Sequence, residues 1–219
     1  MNDRYFYGDD GPYRYLPRGM HFSRREKREI LVAVVALIAA FMLLYGVHGY
    51  VTPSSLLLYL GVAVSAALTG FLFHELMHKY FAQRFGAWAE FRYSLWGLFL
   101  ALITAFIGIL FAAPGAVYIS GTLDRREYGI VSVAGPMTNT FFSFLFLLFA
   151  GAFHAFAGIF TFLVAVSFLD GILAVFNMLP IPPLDGSKVL RWNPAIYVIC
   201  LILPLIPVVF LASTGLVPI

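Results

Sequence analysis

The sequence predicts an all-α polytopic membrane protein, and three observations predict it. Hydrophobic residues fill 61% of its 219 positions, charged residues only 11%, and mean hydropathy is +0.88, well outside the range of soluble globular chains. Six apolar runs follow one another, most of them near the roughly 20 residues that a helical crossing needs. The breaks between them carry Gly/Pro/Ser turn chemistry, as in "GVHGYVTPSS", "APGAVYISGTLDRREYG" and "PIPPLDGSKVLRWNP". Together these imply about five to six transmembrane helices in one domain over residues 30–219, with no length left for a large soluble domain.

Residues 1–29 read as a polar cytoplasmic tail, aromatic and Gly/Pro-punctuated, without the apolar core or cleavage site of a signal peptide. Its tyrosines are suited to the membrane interface. Seven of the fourteen Lys and Arg residues lie in it, and "RREKRE" abuts the first apolar run, which places the N-terminus in the cytoplasm of a multi-pass protein. The runs are Ile30 to Val47, Leu56 to Tyr80, Leu95 to Ala113, Ile130 to Ala150, Phe156 to Leu179 and Ala195 to Ala212. Pro204 and Pro207 should kink the last helix, which bundle packing tolerates. The net charge of +3 speaks to topology and not to nucleic acid, because the basic residues bracket apolar segments and form no patch interleaved with aromatics. Cys200 is the only cysteine, which excludes an intramolecular disulfide, a redox pair and a cysteine-based zinc site.

The second run holds "HELMH". Residues four apart share a helical face, so His74 and His78 can aim their imidazoles at one point with Glu75 beside them. This is the HExxH arrangement of zinc metallopeptidases. Catalytic zinc takes three protein ligands and keeps a position open for water, whose pKa it lowers toward 7 while the glutamate moves the proton. A third ligand is therefore required, and the acidic candidates near or in the membrane are Glu90, Asp124, Asp170 and Asp185. Asp185 is the strongest. It sits in "FNMLPIPPLDGSK", where the prolines should end a helix and hold an extended segment, tolerated at membrane depth only if it is buried or lines a wet cavity. Gly186 next to it permits close backbone approach. Asp170 fits either a proton path or an inward-facing side chain bonded to a hydroxyl or to Asn139, the second being the simpler. His48 and His154 fall near loops, and Arg125, Arg126 and Lys188 read as topology and headgroup charges.

"HELMH" followed by "NMLPIPPLDG" resembles the site-2 protease family of intramembrane zinc metalloproteases, and "VAGPMTN", Val133 to Asn139, is similar to the segment that opens the family's central helix. The resemblance covers Thr69 to Arg191. It implies one Zn2+ per chain held by His74, His78 and Asp185, Glu75 as catalytic base, and Asn177 as a residue that orients substrate or steadies the oxyanion. The substrate implied is a membrane-spanning segment of another protein, met within the lipid bilayer and locally unwound before cleavage. Met77 stands where the family often has glycine, and the chain has no room for a PDZ or CBS module. Two other classes fit parts of the pattern: a catalytically silent membrane scaffold, against which intact Glu75 argues, and an ion-binding transporter, for which repeated halves are expected and not seen.

Sharing one metal ion also constrains topology. If Leu95 to Ala113 crossed the bilayer, Asp185 would arrive on the opposite side from the histidines. The run is therefore expected to enter and leave on the cytoplasmic side as a re-entrant segment between the HExxH helix and the central helix. Its flanks "AEFRYS" and "GAVYIS" have strand-like composition, and the resemblance implies a β-hairpin there.

Overall fold

The computed structural model describes residues 6–8, 11–13, 20–111 and 113–216. Within the tail, β1 (Phe6–Gly8) and β2 (Gly11–Tyr13) pair as a short antiparallel hairpin. The tail's tyrosine side chains, expected at the interface, lie outside the described residues. Helix α1 (Arg24–Val47) opens at Ser23, whose Oγ accepts from the Glu26 amide at 3.1 Å and so satisfies one orphan donor of the first turn. Its Phe41 and Tyr45 pack with Tyr59, Val62 and Ala66 of the next helix.

The second run is one helical stretch, Leu56–Arg84, but it is not uniform. It comprises α2 (Leu56–Ala66), a π-helical turn (Ala67–Leu72) and α3 (Phe73–Arg84), which carries HELMH. Hydropathy alone does not reveal the wide turn.

The hairpin expected between the HExxH helix and the central helix is present. Strands β3 (Trp88–Tyr93) and β4 (Gly115–Ser120) pair antiparallel from Trp88↔Ser120 to Tyr93↔Gly115, so the chain that leaves at Tyr93 comes back beside it. The Ser94 amide closes the neck by donating to the Pro114 carbonyl at 2.8 Å. Between them α4 (Leu95–Phe106) has 12 residues, or roughly 18 Å at 1.5 Å per residue, too short for a hydrocarbon core of about 30 Å.

The charged segment that opens α1 has a role beyond topology. Glu26 Oε1 accepts from the Phe91 amide at 2.9 Å and Glu29 Oε2 from the Tyr93 amide at 3.1 Å, so these carboxylates cap the outer edge of β3. Lys79 Nζ, one residue past His78, donates to Glu26 Oε1 at 2.6 Å with both side chains fully buried. One buried ion pair thus ties α1, the HELMH helix and the hairpin together.

Helix α5 (Arg125–Ala152) starts with a capping box between Asp124 and Glu127. It packs along α6 (Ala157–Asn177), where Ser143 Oγ donates to the Ser167 carbonyl at 2.8 Å and Ser167 Oγ to the Ser143 carbonyl at 2.7 Å. After α6 the proline-rich segment does not run extended as its composition suggests. It folds into turns, with the Leu184 amide donating to the Ile181 carbonyl at 2.9 Å, and Asp185 becomes the first residue of α7 (Asp185–Trp192). Helix α8 (Pro194–Thr214) is capped by Asn193, carries Pro194 in its first turn, and stays helical through Pro204 and Pro207. Five stretches, α1, Leu56–Arg84, α5, α6 and α8, are long and apolar enough to cross a membrane. The chain is a multi-pass membrane protein of mostly helical architecture.

Candidate metal centre

Helix α3 presents His74 and His78 on one face, one turn apart, and the N-terminus of α7 brings Asp185 to them. His78 Nε2 lies 3.0 Å from His74 Nε2 and 3.0 Å from Asp185 Oδ2, and His74 Nε2 lies 3.4 Å from the same oxygen. All three residues are buried. Donors bound tetrahedrally to one zinc ion at about 2.0–2.1 Å stand roughly 3.3 Å apart, so the triangle fits such an ion. The His78 ring is held in the matching tautomer, because Nδ1 donates to the Val131 carbonyl at 2.7 Å and leaves the Nε2 lone pair free.

Two glycines make the triangle possible. A Cβ on Gly135 of α5 would fall within 2.5 Å of Nε2 of both histidines, so only glycine leaves the space that an ion would fill. A Cβ on Gly186 would collide with the Met178 carbonyl, so glycine lets α7 dock against the end of α6.

Lys188 Nζ donates to Asp185 Oδ1 at 2.8 Å, and the other carboxylate oxygen faces the imidazoles. Its charge therefore belongs to this centre and not to the headgroup layer. Burial alone would raise the Asp185 carboxyl, and the Lys188 ammonium beside it acts in the opposite direction. Burial likewise disfavours the Lys188 charge, and the adjacent Asp185 more than offsets this, so the ammonium titrates above its ordinary value. Lys188 thus occupies one carboxylate oxygen and leaves the other toward the imidazoles, as a single-atom metal ligand requires.

Glu75 and Asn177 line the same cavity, of about 760 Å³, which extends from the triangle to Leu37, Phe41, Phe111 and Phe176 on the apolar side. Glu75 Oε2 accepts from the Val117 amide of β4 at 3.1 Å. Asn177 Nδ2 donates to the Leu173 carbonyl at 3.0 Å, which leaves its second N–H for the cavity.

The other acidic candidates are occupied elsewhere. Glu90 pairs with Arg92 in β3, Asp124 caps α5, and Asp170 accepts from the Thr69 hydroxyl at 2.8 Å. His48 Nε2 bonds the Gly108 carbonyl at 2.9 Å and pins the return of the re-entrant segment, and Arg125 caps the end of α7 through the Arg191 and Trp192 carbonyls. Gly135, Val131 and Lys188 carry parts of the centre that residue types alone do not single out. "VAGPMTN" points to the neighbourhood, whereas the Val131 carbonyl has no sequence signature.

The chain matches no family model and no solved structure. It is similar to three proteins that bear the name "putative zinc metalloprotease". That of Methanocaldococcus jannaschii is 41% identical over 185 residues, covering 81% of this chain and 90% of the relative. That of Bacillus subtilis is 30% identical over 160 residues, 64% and 70% of the two chains. That of Mycolicibacterium smegmatis is 29% identical over 151 residues, 61% and 58%. With this degree of identity over nearly the whole of the archaeal relative, the chain belongs to the zinc metalloprotease family that these proteins represent.

Proposed function

We propose that the chain is an intramembrane zinc endopeptidase of the site-2 protease type, which hydrolyses a peptide bond in or near a membrane-spanning segment of another membrane protein. The observation that carries this reading is the meeting of two imidazoles and a carboxylate in a cavity walled by β4 and opening toward apolar side chains. In this reading His74, His78 and Asp185 would hold one zinc ion, which would supply Lewis acidity and make a water proton easier to lose near neutral pH. Glu75 accepts that proton and returns it to the leaving amine. Asn177 offers its free N–H to the substrate backbone or to the developing oxyanion. Lys188 keeps Asp185 facing the imidazoles through one oxygen.

The substrate must present a bare carbonyl, and a helix ties its carbonyls up internally. Strand β4 supplies the alternative partner. Phe91 and Val117 face each other as a pair whose backbone groups point away from one another, since Phe91 N–H goes to Glu26 and Val117 N–H to Glu75. Among the described residues no third strand pairs with β4, so an unwound substrate can add there, beside the metal centre. Taking over the Val117 N–H would leave Glu75 free for proton transfer.

The full chain reconstituted in liposomes should cleave a reporter whose membrane segment contains helix-weakening residues, and a zinc chelator should stop it. Asn177→Ala should keep zinc and lower turnover by up to about 100-fold. One zinc per chain without any cleavage would favour a silent scaffold, and absence of zinc would overturn both readings.

The orientation proposed puts the N-terminus and the metal centre on the cytoplasmic side, because basic residues cluster at the start of α1 and after HELMH. A cysteine placed near Asp124 in a Cys200→Ala background should react with an impermeant thiol reagent added from the cytoplasmic face. Reaction only from the opposite face would refute the orientation.

A further inference from the structure

The π-helical turn Ala67–Leu72 runs directly into the HELMH helix, and its phase matters to the metal centre. In α2 the buried face runs Tyr59, Val62, Ala63, Ala66. Continued at 3.6 residues per turn, that face would next include Gly70, Phe73 and Met77. Gly70 still faces inward, but beyond it the inward residues are Phe71, His74 and His78, whereas Phe73 is 42% exposed. The wide turn absorbs one extra residue and rotates everything after it by about 100°. Without that rotation the two histidines would not face Asp185.

A wide turn breaks the regular ladder of backbone hydrogen bonds and needs partners from outside it. Three buried polar side chains on three helices gather there. The Thr69 hydroxyl lies 2.8 Å from the Ser65 carbonyl and 2.8 Å from Asp170 Oδ2 of α6. Asn139 of α5, four residues beyond Gly135, donates Nδ2 to the Gly70 carbonyl at 3.1 Å. Asn139 and Asp170 are fully buried, and a polar side chain at that depth is costly unless its partners repay it. Asp170 touches none of the candidate ligands, so the proposed chemistry does not account for it.

We propose that Thr69, Asn139 and Asp170 are positioning residues that latch the π-turn from α5 and α6 and thereby set the rotational phase in which His74 and His78 meet Asp185. The inference rests on the metal-centre reading above. It also explains why a hydroxyl and an amide bond backbone carbonyls at the turn while a buried carboxylate bonds that hydroxyl.

Cobalt(II) reports ligand geometry through its visible absorption, independently of catalysis, and the full chain in detergent is titrated with cobalt chloride. The original chain should give the intense bands of a tetrahedral site. Asp170→Ala should bind cobalt at least about tenfold more weakly, as outer-shell changes do elsewhere, with weaker or shifted bands. Asp170→Asn, which still offers Thr69 an oxygen, should restore both. Ser143→Ala serves as a control, because it also removes a buried hydrogen bond between α5 and α6 but not one to the turn. It should lower the melting temperature without altering the spectrum. An unchanged spectrum and affinity in Asp170→Ala, or the same spectral loss in Ser143→Ala, would overturn the latch. If Asp170→Ala does not fold, Thr69→Val removes only the hydroxyl and carries the same expectation. Failure of the original chain to bind cobalt would overturn the metal centre itself and is thereby distinguished from failure of the latch.

Discussion

Glu75→Gln is expected to lower peptide hydrolysis by about 100- to 10,000-fold, the range that a positioned general base contributes, while one zinc per chain stays bound. The substitution keeps the size of the side chain and an oxygen that accepts from the Val117 amide, so the cavity wall and β4 should keep their places. It removes only the ability to take a proton. Glu75 is not among the three residues whose donor atoms converge, so metal content should not change. Measuring zinc and reporter cleavage on the same preparation separates chemistry from binding. Undiminished cleavage by Glu75→Gln would sink the mechanism, and loss of zinc would mean that Glu75 is a ligand.

Gly135→Ala is expected to abolish activity by a different route, through the metal. The new methyl carbon would stand within 2.5 Å of both Nε2 atoms, closer than any unbonded carbon approaches a nitrogen, so the imidazoles must turn away or the ion must leave. The fold should survive. Alanine is favoured over glycine in a helix interior by about 1 kcal/mol, and Gly135 lies well inside α5. Zinc content should therefore fall below about a tenth of the original, while the helical content of the protein is retained. Full zinc occupancy in Gly135→Ala would show that the ion does not sit between the two histidines and α5.

How much of this was legible in the sequence depended on the range of the physics involved. The membrane class follows from composition summed over the chain, and HELMH follows from helical period over five residues. Both are local and survive any arrangement of the rest. The re-entrant segment was accessible through a constraint, namely that ligands of one ion must lie at one depth, which hydropathy alone contradicts. The turns before Asp185 were misjudged as extended because prolines restrict the chain in both cases and the choice is made by docking of α7 on α6. The second role of "RREKRE" was hidden for a related reason. Its glutamates look like flanking charge until β3 lies beside them.

The sequence by itself determined that this chain lives in a bilayer and that one helix carries two imidazoles at ligand spacing with a carboxylate beside them, because these properties arise from side-chain polarity and a fixed helical repeat. Only the tertiary structure decided that Asp185 crosses more than a hundred residues of chain to reach His74 and His78, and that Lys188 holds its second oxygen. It alone decided that Gly135 clears the space for an ion, that the Val131 carbonyl fixes an imidazole, and that a π-turn supplies the rotation bringing the pair inward. The reason is physical: backbone carbonyls and empty space carry no residue-type signal, and a helix's phase against its neighbours is set by packing between distant segments.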